Sequence, residues 1–217
     1  MIAKISGYDG KTLSVEPEKD LSKALLRTGS QQVELRIIDG RVITPEQRKK
    51  IFATIRDISD WCGHSPEEVR QILTWDFRSI DGRGDFSLSN VEQDTATDFI
   101  SYLIDFCLRW DVPTKEPLSK RVEDIDRYLY RCLEERKCAV CGRRADIHHV
   151  DTVGMGRNRK HIVHTGLSAI ALCRQHHQEC HTIGADFFRK YHIYGVPLTE
   201  QLLQKLALTN KKIANTK

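Results

Sequence analysis

The sequence predicts an α+β protein in which β-hairpins and three helices precede a C-terminal part of mixed strands and helices. Two Asp-Gly turns lie between short β-like runs, which is a strong local signal for a hairpin. Several long stretches with apolar residues at helical spacing follow. Residues 138–181 then hold four of the seven cysteines and most of the nine histidines, a density typical of metal sites.

The predicted hairpins come first in the chain. Residues 1–8 and 11–15 are β-like runs around Asp9-Gly10, and residues 33–38 and 41–43 flank Asp39-Gly40. We therefore expect two antiparallel strand pairs before the first helix.

Three capping signatures predict the starts of three helices. They are Thr44 followed by Pro45, Ser65 with Glu68, and Ser89 with Glu92. The tryptophans of these helices, Trp61, Trp75 and Trp110, could stack on the bases of a single strand. Because all three lie on apolar helical stripes, we predict instead that they pack in the core.

A segment with two prolines and no apolar periodicity, residues 111–117, predicts a linker at 113–118 between domains 1–112 and 119–217. The second domain should begin with an amphipathic helix over 119–137. Strands near 147–150 and 169–172, a helix over 174–191 and a basic helix over 198–213 should follow.

Charge is divided unevenly between the two parts. Residues 1–118 carry 16 Lys+Arg against 20 Asp+Glu, whereas residues 119–217 carry 18 against 10. A basic excess beside a metal motif favours a nucleic-acid partner over a merely solubilising surface. The odd number of cysteines indicates reduced thiols, and no run resembles a signal peptide or reaches the roughly 18 apolar residues of a membrane helix, so we expect a cytoplasmic protein.

Two metal sites are predicted from spacing. Cys138 and Cys141 form a C-x2-C pair, and Cys173 with His176 repeats that spacing, so the four can close a tetrahedral structural zinc site. Cys180, one helical turn after His176, is an alternative fourth ligand.

The remaining histidines predict a second, catalytic site. His177 and His181 are four residues apart and share one helix face. His148 and His149 are adjacent in a predicted strand, so their side chains point in opposite directions. One can join the metal while the other accepts a proton from water.

In their order and spacing, C-x2-C, His-His-Val, Leu-Cys-x2-His-His and the last histidine resemble the HNH endonucleases over residues 137–191. The resemblance implies a ββα-metal fold and a catalytic divalent cation, Mg²⁺ or Mn²⁺ with Zn²⁺ or Ni²⁺ as alternatives. It implies that His149 is the general base, that His148 and His181 are metal ligands, and that His177 is both a ligand and the closing catalytic histidine.

One letter of the motif differs from the family. The family has an asparagine that holds the loop positioning the base, and this chain has Gly166–Ser168 at that place. Ser168 could make a shorter version of the hydrogen bond, and Asn158 could make it from elsewhere in the loop. We take Ser168 as the catalytic-site candidate.

Basic residues near the motif are candidate DNA contacts. Residues 154–161 form a glycine-rich loop in which Arg157, Arg159 and Lys160 can neutralise phosphates, although a solvated surface loop is the alternative. Arg174, at the start of the predicted helix, is a further candidate.

The N-terminal half carries a second resemblance. A strand pair, the segment Thr-Pro-Glu-Gln-Arg-Lys-Lys at residues 44–50, and the later Phe86-Ser-Leu-Ser89 with Phe99 resemble the phage Orf (NinB) recombination mediators over residues 30–112. The resemblance implies binding to single-stranded DNA and single-strand-binding protein, a homodimer, and Arg48, Lys49 and Lys50 as DNA contacts.

Together these features predict an HNH endonuclease that acts on single-stranded, flap or junction DNA during phage recombination or replication, in the host bacterial cytoplasm. The alternative is a non-catalytic, zinc-stabilised DNA-binding mediator. A zinc-dependent hydrolase of a small substrate has little support, because no H-E-x2-H element occurs.

Overall fold

The computed structural model describes residues 3–17, 20–22, 40–82, 84–151 and 165–206. The chain divides into two compact units, Met1–Asp39 and Gly40–Lys217. In the first unit, strands β1 (Ala3–Tyr8) and β2 (Leu13–Pro17) pair antiparallel. The Asp9 carboxylate accepts hydrogen bonds from the backbone N–H groups of Lys11 and Thr12 at 2.9 and 2.7 Å, so the first predicted hairpin is confirmed. The predicted strand 33–38 lies outside the described residues.

Helices α1 (Pro45–Cys62) and α2 (Pro66–Asp81) begin where their capping signatures predict. Thr44 forms a capping box with Gln47, and Ser65 forms one with Glu68.

Helix α3 (Gln93–Trp110) begins later than its signature predicts, because Glu92 and not Ser89 is the N-cap residue. The Ser87 carbonyl accepts hydrogen bonds from the N–H groups of both Asn90 and Val91. Ser89 therefore lies inside a turn and not at the start of a helix. This cap prediction was wrong.

The three helices bury their aliphatic faces against one another, with Ile51, Ile55, Phe99, Ile100 and Leu103 almost fully covered. The tryptophans are outside this core: Trp61, Trp75 and Trp110 are 43%, 66% and 56% exposed. Trp61 and Trp110 lie in the last turns of their helices, and Trp75 is two residues, about 200°, from the buried Leu73. The prediction that they pack in the core was wrong.

The predicted linker at 113–118 does not separate two compact units. Beyond it, the buried Arg121 guanidinium pairs with the buried Asp57 carboxylate of α1 at 2.8 Å and donates to the Thr54 hydroxyl at 3.1 Å. Removing one member of such a buried pair leaves an uncompensated charge, which typically costs about 3–5 kcal/mol. Whether 1–112 and 119–217 act as separate functional modules stays a prediction.

The helix predicted over 119–137 is shorter in the structure. A 3₁₀ turn (Leu118–Lys120) precedes helix α4 (Ile125–Glu134), which starts where the Asp124 carboxylate accepts from the Arg127 N–H. The side-chain cap at Asp124 fixes a new helix start.

A three-stranded sheet and a helix follow. Strand β3 (Asp146–His149) pairs antiparallel with β4 (Ser168–Leu172), and β4 pairs with β5 (Val196–Pro197), which was not predicted. Helix α5 (Arg174–Ile183) starts directly after β4.

The helix predicted over 174–191 is broken. Gly184, with φ 57° and ψ −127°, ends α5 before α6 (Ala185–Tyr191) begins, a backbone conformation that glycine adopts readily. Helix α7 (Glu200–Lys205) lies in the predicted final helix, whose remainder from residue 207 lies outside the described part. Among the described residues, no helix is long and apolar enough to cross a bilayer.

Candidate metal centres and active site

The Cys138–Cys141 turn and the start of α5 bring together a first group of metal-ligand side chains. Gly142, with φ 73°, closes the turn by donating its N–H to the Cys138 carbonyl. Cys173 is the N-cap residue of α5, and His176 follows in its first turn. The donor atoms of Cys138, Cys141, Cys173 and His176 all lie within 4.8 Å of one another.

The spacing of these donors fits a tetrahedral ion. The Sγ atoms of Cys141 and Cys173 are 3.8 Å apart, and His176 Nδ1 is 3.3 Å from the Sγ atoms of both Cys138 and Cys173. Zn–S bonds of about 2.3 Å at tetrahedral angles imply S···S separations of about 3.8 Å. Three thiols and one imidazole are a usual donor set for structural zinc, so this group could bind that ion.

Cys180, the alternative fourth ligand, belongs to a different contact. Its Sγ lies 3.5 Å from His148 Nε2, so the structure brings His176 and not Cys180 to the other three donors. The reason is helical rise, because four residues along α5 carry Cys180 about 6 Å from the turn that contains His176.

Arg143 supports the cysteine group and was missed from the sequence. Its Nε donates to Cys141 Sγ at 3.3 Å, and its Nη2 lies 3.8 Å from Cys173 Sγ. Burial alone would raise the pKa of Cys141. The hydrogen bonds with Arg143 and with the neighbouring thiols together have the larger effect, so the pKa is lowered. Burial raises the pKa of Cys138 to about 12, so only a bound cation would hold that thiol ionised at neutral pH.

The second group consists of three histidines. His148 comes from β3, and His177 and His181 come from one face of α5. Their ring centroids are 4.7 to 5.0 Å apart, and their donor atoms lie within 4.8 Å of one another. Three imidazoles converging from a strand and a helix could hold one cation and leave further coordination positions open.

Burial and repulsion from neighbouring histidines favour the neutral imidazoles of His148 and His177. Burial, followed by the facing His177, His181 and His149, lowers the pKa of His148 to about 4. Burial and His181 also lower the pKa of His177. Because the neutral imidazole is the form that binds metal, these two side chains are ready to ligate at neutral pH.

His149 and Ser168 lie beside the histidine group. His149 is half-buried and pairs in register with Ala169, and it is not one of the three converging histidines, as strand alternation predicts. Ser168 acts here through its backbone. Its N–H donates to the Asp151 carboxylate at 2.5 Å, and its carbonyl accepts from the Val150 N–H at 2.8 Å.

Gly195 closes the same corner of the sheet. A Cβ at this position would come within 2.8 Å of Val150 Cγ2 and 2.9 Å of Ser168 Cβ, so only glycine fits. The segment after His149 is thereby held by β4 and by the residue before β5. Sequence reasoning missed Asp151 and Gly195, although Asp151 follows the His-His pair by two residues.

The predicted DNA contacts fall into several groups. Arg157, Arg159 and Lys160 lie outside the described residues, as does Asn158. Arg174 is exposed and lines a cavity of about 570 Å³ with Arg143, Arg144, Cys173, Gln175 and Gln178. We call Arg143, Arg144 and Arg174 the arginine patch.

In the helical part, the three predicted basic contacts differ from one another. The Arg48 guanidinium donates to the carbonyls of Leu88 and Ser89, each at 3.0 Å. Lys50 pairs with the Glu123 carboxylate, so its ammonium already has a partner within the protein. Lys49 is exposed.

An antiparallel strand pair followed by a helix, with convergent histidines on the first strand and on the helix, is the arrangement that the HNH resemblance implies. The chain belongs to the family described as "Putative HNHc nuclease", whose model matches residues 13–209. Comparisons with curated proteins and with solved structures gave no match. The family match includes most of the N-terminal half, and the Orf (NinB) resemblance stays a prediction.

Proposed function

We propose that this protein is a metal-dependent HNH endonuclease that hydrolyses DNA phosphodiesters, with His149 as general base. The observation that carries the proposal is the convergence of His148, His177 and His181 from β3 and α5. Membership of a nuclease family supports nuclease activity in general. The particular residues and the substrate are our inference.

His148, His177 and His181 would hold the catalytic cation, which when bound would stabilise negative charge on the phosphate and on the leaving oxygen. Imidazole donors favour Zn²⁺ or Ni²⁺ over Mg²⁺, which prefers oxygen ligands. The group of Cys138, Cys141, Cys173 and His176 would hold structural zinc. That ion would link the Cys138–Cys141 turn to the start of α5 and so fix the helix that carries two of the three histidines.

His149 would take the proton of the attacking water. It follows the proposed metal ligand His148 on the same strand, and imidazole is the side chain that most often acts as a general base in enzymes. The hydrogen bonds of Ser168 with Asp151 and Val150 hold the backbone immediately after His149. We infer that they keep the imidazole within reach of its water.

The arginine patch would hold the DNA backbone beside the histidines. Arg174 shares one face of α5 with His177 and His181, at positions i, i+3 and i+7. Neither Arg144 nor Arg174 has an ion-pair partner within the described part of the chain, so both guanidinium groups are available to phosphate. Such contacts position the backbone without reading base sequence.

We propose single-stranded or branched recombination and replication intermediates as the substrate. This finer proposal rests on the Orf (NinB) resemblance, as do the homodimer and the coupling to single-strand-binding protein. Cleavage assays that compare single strands, flaps, four-way junctions and duplex of equal length would test it. Equal rates on all four substrates would remove the support for this preference.

The second candidate function is a zinc-stabilised DNA-binding module without catalysis. The observation that favours it is Ser168 at the place where the family has asparagine. Supercoiled plasmid incubated with the purified protein and Mg²⁺, Mn²⁺, Ni²⁺ or Zn²⁺ separates the two functions. Nicking that requires one of these cations and stops with chelator supports the nuclease. Tight DNA binding without nicking under any of the four supports the binding module.

A further inference from the structure

We propose that the outward face of α1 and the adjoining turn at residues 87–89 form a binding groove for single-stranded nucleic acid. We call this surface the α1 groove. It consists of two adjoining cavities of about 620 and 500 Å³. Arg48 and Phe52 line both cavities, Lys49 and Arg56 line the first, and Arg70 lines the second.

Phe52 is the feature of the groove that the fold does not explain. The inner face of α1 carries Ile51, Ile55 and Ile58, which are almost fully buried. Phe52 lies on the outer face and is 39% exposed. Its neighbours on that face, Arg48, Lys49 and Arg56, are cations at positions i−4, i−3 and i+4. An aromatic ring among cations on an outer helix face is not needed for packing.

The charge of the groove is positive. Neither cavity has a carboxylate in its lining. Within the described part of the chain, Lys49 and Arg56 have no ion-pair partner, and both are exposed. Arg48 is fixed by its two carbonyl acceptors, and Arg70 at the rim is paired with Glu67. The groove therefore presents a row of cations, which attracts a polyanion.

The aromatic ring indicates which polyanion fits. Pro45 to Arg56 extends about 16 Å along α1, enough for a few nucleotides of backbone. In a single strand the bases can turn out and stack on a ring, whereas in a duplex they are already stacked inside. Cations that flank one half-exposed ring match this combination of phosphate and base. The groove would hold the single-stranded substrate of the proposed function, on which this inference rests. Because binding here requires no metal, it can be measured apart from cleavage.

Fluorescence anisotropy with a labelled single-stranded oligonucleotide and a duplex of the same sequence tests the proposal. The full chain is used without added divalent cation, so that binding is measured without cleavage. We expect Phe52→Ala to weaken single-strand binding roughly tenfold and to leave duplex binding unchanged. Phe52→Trp keeps an aromatic ring and should bind the single strand as the parent does. Lys49→Ala with Arg56→Ala should weaken binding and reduce the salt slope by about 1.4.

Controls separate this proposal from misfolding and from failure of the nuclease proposal. Trp75→Ala removes another exposed aromatic residue on a helix and should leave binding unchanged. His149→Ala should bind the single strand as the parent does, whether or not the parent cuts DNA. Unchanged single-strand affinity in both groove variants would overturn the proposal, and so would equal losses on duplex. Full displacement of the oligonucleotide by polyglutamate at equal charge would also overturn it, because the occupant would then be an acidic protein segment.

Discussion

The Asp151 carboxylate, two residues after His149, accepts a hydrogen bond at 2.5 Å from the backbone N–H of Ser168, the first residue of β4. It joins the segment after β3 to the start of β4, near the place where the HNH resemblance implies an asparagine. In this chain the polar side chain comes from the segment that follows β3, and Ser168 contributes its backbone.

We therefore expect Asp151 to be a positioning residue. Asp151→Ala should lower the single-turnover cleavage rate about five- to tenfold, because the loss of one hydrogen bond to a charged group loosens the segment that carries His149. DNA affinity should stay the same. Asp151→Asn keeps an acceptor oxygen and should recover most of the rate. Equal losses in both variants, or a loss confined to DNA affinity, would contradict this role.

The cysteine group gives a second prediction. Cys138→Ser should reduce bound zinc from about one equivalent to nearly none, as measured by mass spectrometry of metals. Loss of such a site removes about 3 kcal/mol or more of stability, which lowers Tm by roughly 10 °C in a chain of this size.

Three further variants sharpen the test of the zinc ligands. Cys62→Ser changes an exposed cysteine and should keep both zinc and Tm. His176→Ala should lose zinc, and Cys180→Ala should keep it, because Cys180 contacts His148 instead. If Cys180→Ala loses zinc and His176→Ala keeps it, then Cys180 and not His176 is the fourth ligand.

His148 predicts a dependence of stability on pH. Burial first, and then the three neighbouring histidines, lower its pKa to about 4. As the pH falls below about 6.5, His148 becomes protonated in the unfolded chain but stays neutral in the folded chain. Its contribution to the stability of the folded state is therefore fully present above about pH 6.5. This stabilisation is lost as the pH falls from 6.5 to about 4.

Urea unfolding at pH 7 and pH 5 measures the effect. Between pH 7 and pH 5, the free energy of unfolding should decrease by about 2 kcal/mol more in the parent than in His148→Gln. Comparing the two proteins cancels the acid lability of the zinc group, which they share. His64→Gln, at an exposed histidine, should fall as steeply as the parent. The same slope in His148→Gln and in the parent would refute the assignment.

The arginine patch predicts how DNA binding depends on salt. Arg144→Ala with Arg174→Ala should weaken duplex binding and reduce the slope of log affinity against log salt by one to two, at about 0.9 for each lost phosphate contact. Arg189→Ala is the control, since this exposed arginine is already paired with Asp186. An unchanged slope in the double variant would remove the arginine patch from the DNA interface.

The sequence predicts local features of this fold well. The starts of α1 and α2 follow from capping residues a few positions away, so Thr44 and Ser65 are enough to locate them. The metal-ligand groups are also visible, because two short motifs fix which donors can share one ion. Ser89 failed as a cap because a backbone turn took precedence over a side-chain signature.

Features that depend on tertiary register could not be predicted. The role of Asp151 exists only because β3 pairs with β4, and the role of Gly195 exists only because β5, with just two residues, pairs with β4. Arg143 contacts Cys173 as well as the nearby Cys141 only because the Cys138–Cys141 turn packs against the start of α5. The exposure of Trp75 depends on which side of α2 packs against the other helices. The spacing of apolar residues along α2 does not determine that orientation accurately.

The most direct test of the central claim is the nicking of supercoiled plasmid by His149→Ala, measured beside its DNA affinity and zinc content. If His149 deprotonates the nucleophile, nicking in the presence of the activating cation should fall at least about a hundredfold, while affinity and zinc stay at the values of the parent. A His149→Ala protein that nicks plasmid at the rate of the parent would contradict the assignment of the base, and with it the proposed mechanism.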